Sequence, residues 1–225
     1  MAISIKDPTY ASRKAKVGPG GALLVHRVGA DVDSDGGRYI HTHQTGALTA
    51  IAAVTSSAGH LWAFRNATSD TSRLCLIERV FATLTGTVGA STAQEVGLAL
   101  YRTTSHTVQP TGGTAATLTT PQTKLRTSHA VPQATIYGED TTGALTAGTY
   151  TMDTVPLMVS TEWCLAASAA VPIPKVRLDL DLSLSPLVLA KDEGLLLANQ
   201  ILMANSFAAK LAVTVIWREV PGYQQ

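Results

Sequence analysis

The stretch Val176-Arg177-Leu178-Asp179-Leu180-Asp181-Leu182-Ser183-Leu184-Ser185 decides the fold class. Val176, Leu178, Leu180, Leu182 and Leu184 fall on one side of an extended chain, and Arg177, Asp179, Asp181, Ser183 and Ser185 on the other. A strand turns successive side chains to opposite faces, so this strict period of two reads as a half-buried strand. Wound as a helix, the same leucines would spread around the axis and form no apolar stripe. Further along, Leu211, Val213, Val215 and Trp217 alternate in the same way with Ala212, Thr214, Ile216 and Arg218. Shorter runs at 22–27, 39–44, 60–65, 74–84, 95–102, 157–166 and 194–198 are further candidate strands.

Turn residues separate these runs: Asp35-Gly36-Gly37, Asn66-Ala67-Thr68-Ser69-Asp70, Pro110-Thr111-Gly112-Gly113, and Gly138-Glu139-Asp140 with Gly143 close behind. No segment carries a long helical period. The pattern predicts an all-β fold, a β-sandwich or jelly-roll-like antiparallel domain over 22–225. Residues 1–21 read as an extended N-terminal arm. Pro8, Gly18, Pro19, Gly20 and Gly21 punctuate it, Arg13, Lys14 and Lys16 charge it, and no apolar period runs through it.

Composition narrows the function classes. The 225 residues are 45% hydrophobic, enough for a sizeable core, but only 15% charged, where soluble domains average about 25%. So little charge leaves part of the surface poorly hydrated, as expected if partners cover it. The net charge is +1, and the longest basic cluster is Arg13-Lys14-Ala15-Lys16. A duplex-binding protein needs a basic face to displace counterions, so no dedicated nucleic-acid binding is expected. No run of eighteen apolar residues suggests a membrane span, and the first residues lack the apolar stretch of a secretory signal. The chain is therefore expected in the cytosol where it is made, unless an assembly carries it elsewhere. Cys75 and Cys164 sit in strand-like runs and are expected as reduced, buried thiols.

One hexapeptide occurs twice, Thr45-Gly-Ala-Leu-Thr-Ala50 and Thr142-Gly-Ala-Leu-Thr-Ala147, each followed by a tryptophan (Trp62, Trp163). A true repeat extends over longer stretches at a fixed period, so the echo reads as coincidence in a chain rich in these residues.

Chemical motifs are few. Asp31, Asp33 and Asp35 followed by Gly36 match the first half of a calcium loop, where alternating carboxylates converge on one ion. The twelfth position is Thr42 instead of a bidentate Glu. The three aspartates are thus a candidate site for weak Ca2+ binding, set against the plainer reading of a polar turn; no other cofactor is expected. His41 and His43 share a strand face, but zinc needs more ligands, so they read as exposed strand histidines. No Gly-x-Ser-x-Gly elbow and no P-loop occurs. Asp179 and Asp181 could be paired carboxylates, yet the strand alternation already accounts for both. Trp62, Trp163 and Trp217 read as core or interface anchors. No catalytic residue is nominated and no enzyme activity is expected.

Several segments together carry a resemblance: Leu61-Trp-Ala-Phe-Arg-Asn66, Leu74-Cys-Leu-Ile-Glu-Arg79, Glu95-Val-Gly-Leu-Ala-Leu-Tyr-Arg102 and Pro110-Thr-Gly-Gly-Thr114. To these add Pro186-Leu-Val-Leu-Ala-Lys-Asp-Glu-Gly194, Leu195-Leu-Leu-Ala198 and Leu211-Ala-Val-Thr-Val-Ile-Trp-Arg-Glu219. The order resembles small structural proteins of tailed-bacteriophage virions, over about 60–120 and 186–219. The resemblance implies a β-sandwich of the capsid decoration or cement type, held in the virion by the major capsid protein or other virion proteins and by neighbouring copies in a homo-oligomer. A tail or baseplate position fits as well. The alternative class is an adhesin module for glycans or a receptor, resting on the partial calcium loop. An enzyme built from distant strands is the third.

Overall fold

A computed structural model describes residues 15–17, 23–25, 37–49, 51–55, 58–69, 71, 73–119, 123–125, 129–139, 145–146, 148–166, 174–203 and 206–221. Among them there is no α-helix, and two antiparallel sheets pack face to face as a β-sandwich. Of the expected arm only 15–17 is described: Ala15–Val17 (β1) pairs with Leu23–Val25 (β2) as a separate two-stranded ladder.

The remaining strands follow in chain order: Gly37–Gln44 (β3), Leu48–Thr49 (β4), His60–Asn66 (β5), Arg73–Val88 (β6), Gln94–Val108 (β7), Thr114–Ala115 (β8) and Ala134–Gly138 (β9). Then come Thr149–Met152 (β10), Met158–Cys164 (β11), Lys175–Asp181 (β12), Leu187–Leu189 (β13), Gly194–Asn199 (β14) and Ala208–Pro221 (β15). The six-stranded sheet runs β12-β6-β15-β3, with β13 also on β6 and β4 also on β15. The seven-stranded sheet runs β10-β7-β14-β5-β9-β8, with β11 on the other half of β7. β15 and β14 are thus the central strands.

Side-chain alternation explains the two-layer packing. Leu211, Val213, Val215 and Trp217 turn inward from β15, as do Val176 and Leu178 from β12. They meet Trp62, Phe64, Leu98, Leu100, Leu195 and Leu197 of the opposite sheet in one apolar cluster. An aromatic column crosses the two layers, with Trp217 against Tyr39 (centroids 5.3 Å) and edge-on to Phe64 (5.4 Å). β14 is buried at every residue. Its consecutive leucines serve both faces: Leu195 and Leu197 join the main core, while Leu196 joins a second cluster with Ala63, Ala99, Tyr101, Leu145 and Ala198. That second cluster lies on the outer face of the seven-stranded sheet.

One expectation needs correction. The strand that starts at 175 ends at Asp181, not at Ser185. The Ser183 N–H donates to Asp181 Oδ1 at 2.9 Å and the Ser185 N–H to Leu182 O at 3.1 Å, so a side-chain-capped turn competes with the strand there. Leu184 is fully exposed as a result. The hexapeptide copies occupy unlike places, in keeping with an echo that is coincidence: Leu48 pairs beside β15 in the main core, whereas Leu145 bridges His60 in the outer cluster. Both cysteines are buried and unbridged, and burial pushes the Cys75 thiol pKa up.

Candidate functional site

Asp31, Asp33 and Asp35 lie outside the described residues. Among the described residues, no group of three His, Cys, Asp or Glu is placed to hold a metal. His41 and His43 do share a face of β3, but they are half-buried and not exposed as expected. The two rings lie on the same side of β3 as buried Tyr39, toward the other layer. His43 Nε2 lies 2.9 Å from Glu139 O and its ring fills the space where a Cβ on Gly138 would stand. The His41 pKa is lowered by burial first and by His43 second.

Of the two aspartates of β12, Asp179 is tied across to β6 and Asp181 caps the turn that follows. Asp179 accepts from Arg79 Nε and Nη2 at 2.9 and 2.8 Å, and this bond holds its carboxyl below the usual range. Arg177 stacks over Phe81 at 5.0 Å. Together with Thr214 and Ile216 these residues line a shallow depression of about 240 Å3 on the outer face of the six-stranded sheet. Arg79 is spent on Asp179, while Arg177 lies 3.8 Å from the same carboxylate and rests on the Phe81 ring.

A buried polar cluster, which the sequence does not announce, sits on the outer face of the seven-stranded sheet. His60 Nε2 lies 2.9 Å from Thr55 O, a carbonyl that can only accept, so Nε2 carries the proton and Nδ1 is free to accept. Tyr150 Oη donates to that Nδ1 at 2.6 Å. Burial lowers the His60 pKa and raises that of Tyr150 to about 12, so the shared proton stays on the phenol. The pair is therefore a strut and not an activated nucleophile. His106 packs against Tyr150 (centroids 4.9 Å) and bonds Thr103 Oγ1 at 3.1 Å through Nδ1. Beside it, Arg65 pairs with Asp192 and Arg102 with Glu193, fixing the turn between β13 and β14.

The surface with binding character is on β11. Inward, Cys164 and Met158 pack on the main core. Outward stand Val159, Thr161 and Trp163, extended at both ends by Leu157 and Leu165. Trp163 is 58% exposed, whereas Trp62 and Trp217 are fully buried. The sequence left all three as core or interface anchors; the fold separates them. Alternation tells which residues share a face, but which face turns to the core depends on the partner strand. On β7 the residues beside the stripe are Ala99, Gly97 and Glu95, too small or too polar to cover it.

Among the described residues the outer edge of β11 pairs with no strand, although β12 of the other sheet runs close alongside it. Exposed sheet edges are usually guarded by Lys, Pro, bulges or covering segments. Edge strand β12 carries Lys175, Arg177, Asp179 and Asp181, and β3 is bridged at Tyr39 by Lys124. Between 157 and 165 the single charge is Glu162, with no Pro, Gly or Lys. No known protein-family model, curated protein or solved structure matches the chain.

Proposed function

We propose that this chain is a structural component of a larger protein assembly, and that it acts by docking to protein surfaces. Within that class we favour a virion protein of tailed bacteriophages, of the decoration or cement type, bound to the major capsid protein and to neighbouring copies. One observation carries the reading: a stripe of large apolar side chains around Trp163, on a sheet edge that pairs with no strand among the described residues. Trp163, Val155, Leu157, Val159 and Leu165 are 40–72% exposed, leaving on the order of 400–500 Å2 of apolar area open. The largest apolar patch on an ordinary monomer is about 300–600 Å2 and often functional. Val159, Thr161 and Leu165 around the indole offer few hydrogen bonds, which favours a protein partner over a sugar.

Modest contacts repeated by the symmetry of a lattice hold each copy by avidity. The test is co-sedimentation of the purified chain with virion shells stripped of it, using wild type and Trp163→Ser. Wild type should pellet with the shells and restore their resistance to heat. Loss of a central aromatic anchor should weaken binding at least tenfold, about 1.4 kcal/mol or more. Shells that bind neither protein would remove the virion reading.

A further inference from the structure

We infer that the occupant of the β11 stripe is β11 of a second copy, paired antiparallel about a two-fold axis through Thr161. This deepens the docking reading above and rests on it. The backbone supplies the first argument. Gln200 N–H donates to Gly97 O, so Gly97 spends its backbone groups on the β14 side. Leu157 N–H donates to Leu100 O, so the even residues of β7 face β11. Gly97 stands opposite Thr161 in the β7–β11 register, which makes that a pair without ladder bonds. Val159, Thr161 and Trp163 therefore turn their N–H and C=O groups to the free edge. Among the described residues no strand pairs that edge.

The second argument is the register. Centred on Thr161, an antiparallel copy sets Val159 opposite Trp163 twice. Thr161 meets Thr161, and every one of these is a favourable cross-strand pair. The one charged side chain, Glu162, meets Ser160 of the second copy and not itself, so no like charges oppose each other. An isologous contact needs such self-complementarity. Area sets the strength. Side chains stand perpendicular to a sheet, so edge pairing buries their flanks only. That is less than the about 800 Å2 per partner of a standard interface, and the dimer belongs to the weak, micromolar class. The product is one sheet running continuously through both copies.

The test uses the full-length chain. Sedimentation velocity from about 1 to about 100 µM should show a dimer of twice the 23.5 kDa chain, with a Kd inside that range. Acrylamide should quench one tryptophan of three at low concentration and lose access to it as dimer forms. Thr161→Cys should cross-link to itself under mild oxidation, because Cα atoms of a bonded antiparallel pair lie about 5.5 Å apart. Both native cysteines are buried and give no background; Ser185→Cys, on the exposed turn, should not cross-link. Val159→Lys should weaken the dimer at least tenfold and leave thermal unfolding of the monomer unchanged. A monomer at 100 µM without cross-linking overturns the self-pairing, as does a dimer that Val159→Lys leaves intact. Shell binding separates the two readings. A monomer that binds shells and loses them with Trp163→Ser sinks the self-pairing alone; a Thr161-linked dimer that ignores shells sinks the virion reading alone.

Discussion

At the scale of single residues, two positions show how little slack the outer face of the seven-stranded sheet has. A Cβ on Gly194 would collide with Phe64 O and stand 2.8 Å from His106 Nδ1 and 2.9 Å from Thr103 Oγ1. The nearest atom is backbone and cannot swing aside. Gly194→Ala is expected to cost about 2–3 kcal/mol, read as a lowered denaturant midpoint at unchanged slope. His106 packs beside it with its ring Nε2 buried. Burial is the larger cause, and Arg65 the second, of a pKa lowered from 6.5 to about 4; Gln109 and Asp192 partly oppose it. The sign follows from linkage. The unfolded chain takes up a proton near 6.5 and the folded chain only near 4. This contribution is thus full above 6.5 and declines as pH falls from there toward 4. Melting temperature should drop over that window in wild type, and His106→Gln should flatten the drop. An equally steep acid limb in the variant would show that other groups set it.

At the scale of strands, the alternation from Val176 to Ser185 is a test of what pattern alone can say. Leu178 and Leu184 occupy equivalent places in it, yet one is fully buried and the other fully exposed. Leu178→Ala is expected to cost about 2–5 kcal/mol, while Leu184→Ala should stay within about 0.5 kcal/mol, both by chemical denaturation. The difference arises because Asp181, Ser183 and Ser185 favour a turn over continued pairing. Strands with clean alternation or continuous apolar runs, such as β5, β14 and β15, were legible to within a few residues. Short β4, β8, β9, β10 and β13 were not, since two to five residues carry too little pattern and form only against a longer partner. The candidate site was half legible. Trp163 stood out as an anchor, but its exposure depends on Glu95 and Gly97 across the ladder, a contact between residues far apart in sequence. The His60–Tyr150–His106 cluster had no local signature because each member comes from a different strand.

At the scale of the molecule, the order in which the sheets close follows from the topology. β15 is the middle of the six-stranded sheet, with β6 on one side and β3 on the other. Its ladder runs from Ala208 opposite Val88 to Pro221 opposite Arg73, so each pair closes a loop of well over a hundred residues. β3 and β6 have no ladder contact with each other and are joined only through β15, whose Trp217 also completes the aromatic column. Such non-local pairing places folding in the milliseconds-to-seconds range or slower. A chain truncated before Ala208 should lack a cooperative thermal transition by near-ultraviolet circular dichroism, and it should bind dyes that report exposed apolar surface. A truncation that melted cooperatively would mean that the seven-stranded layer holds its core without the second sheet. While β15 is missing, the apolar edge of β11 stands beside an unfinished core, so off-pathway strand pairing competes with folding. Val159→Lys guards that edge without touching the core. It should therefore raise the yield of refolded monomer at micromolar concentration while leaving the folding rate, measured by stopped-flow tryptophan fluorescence, as it was.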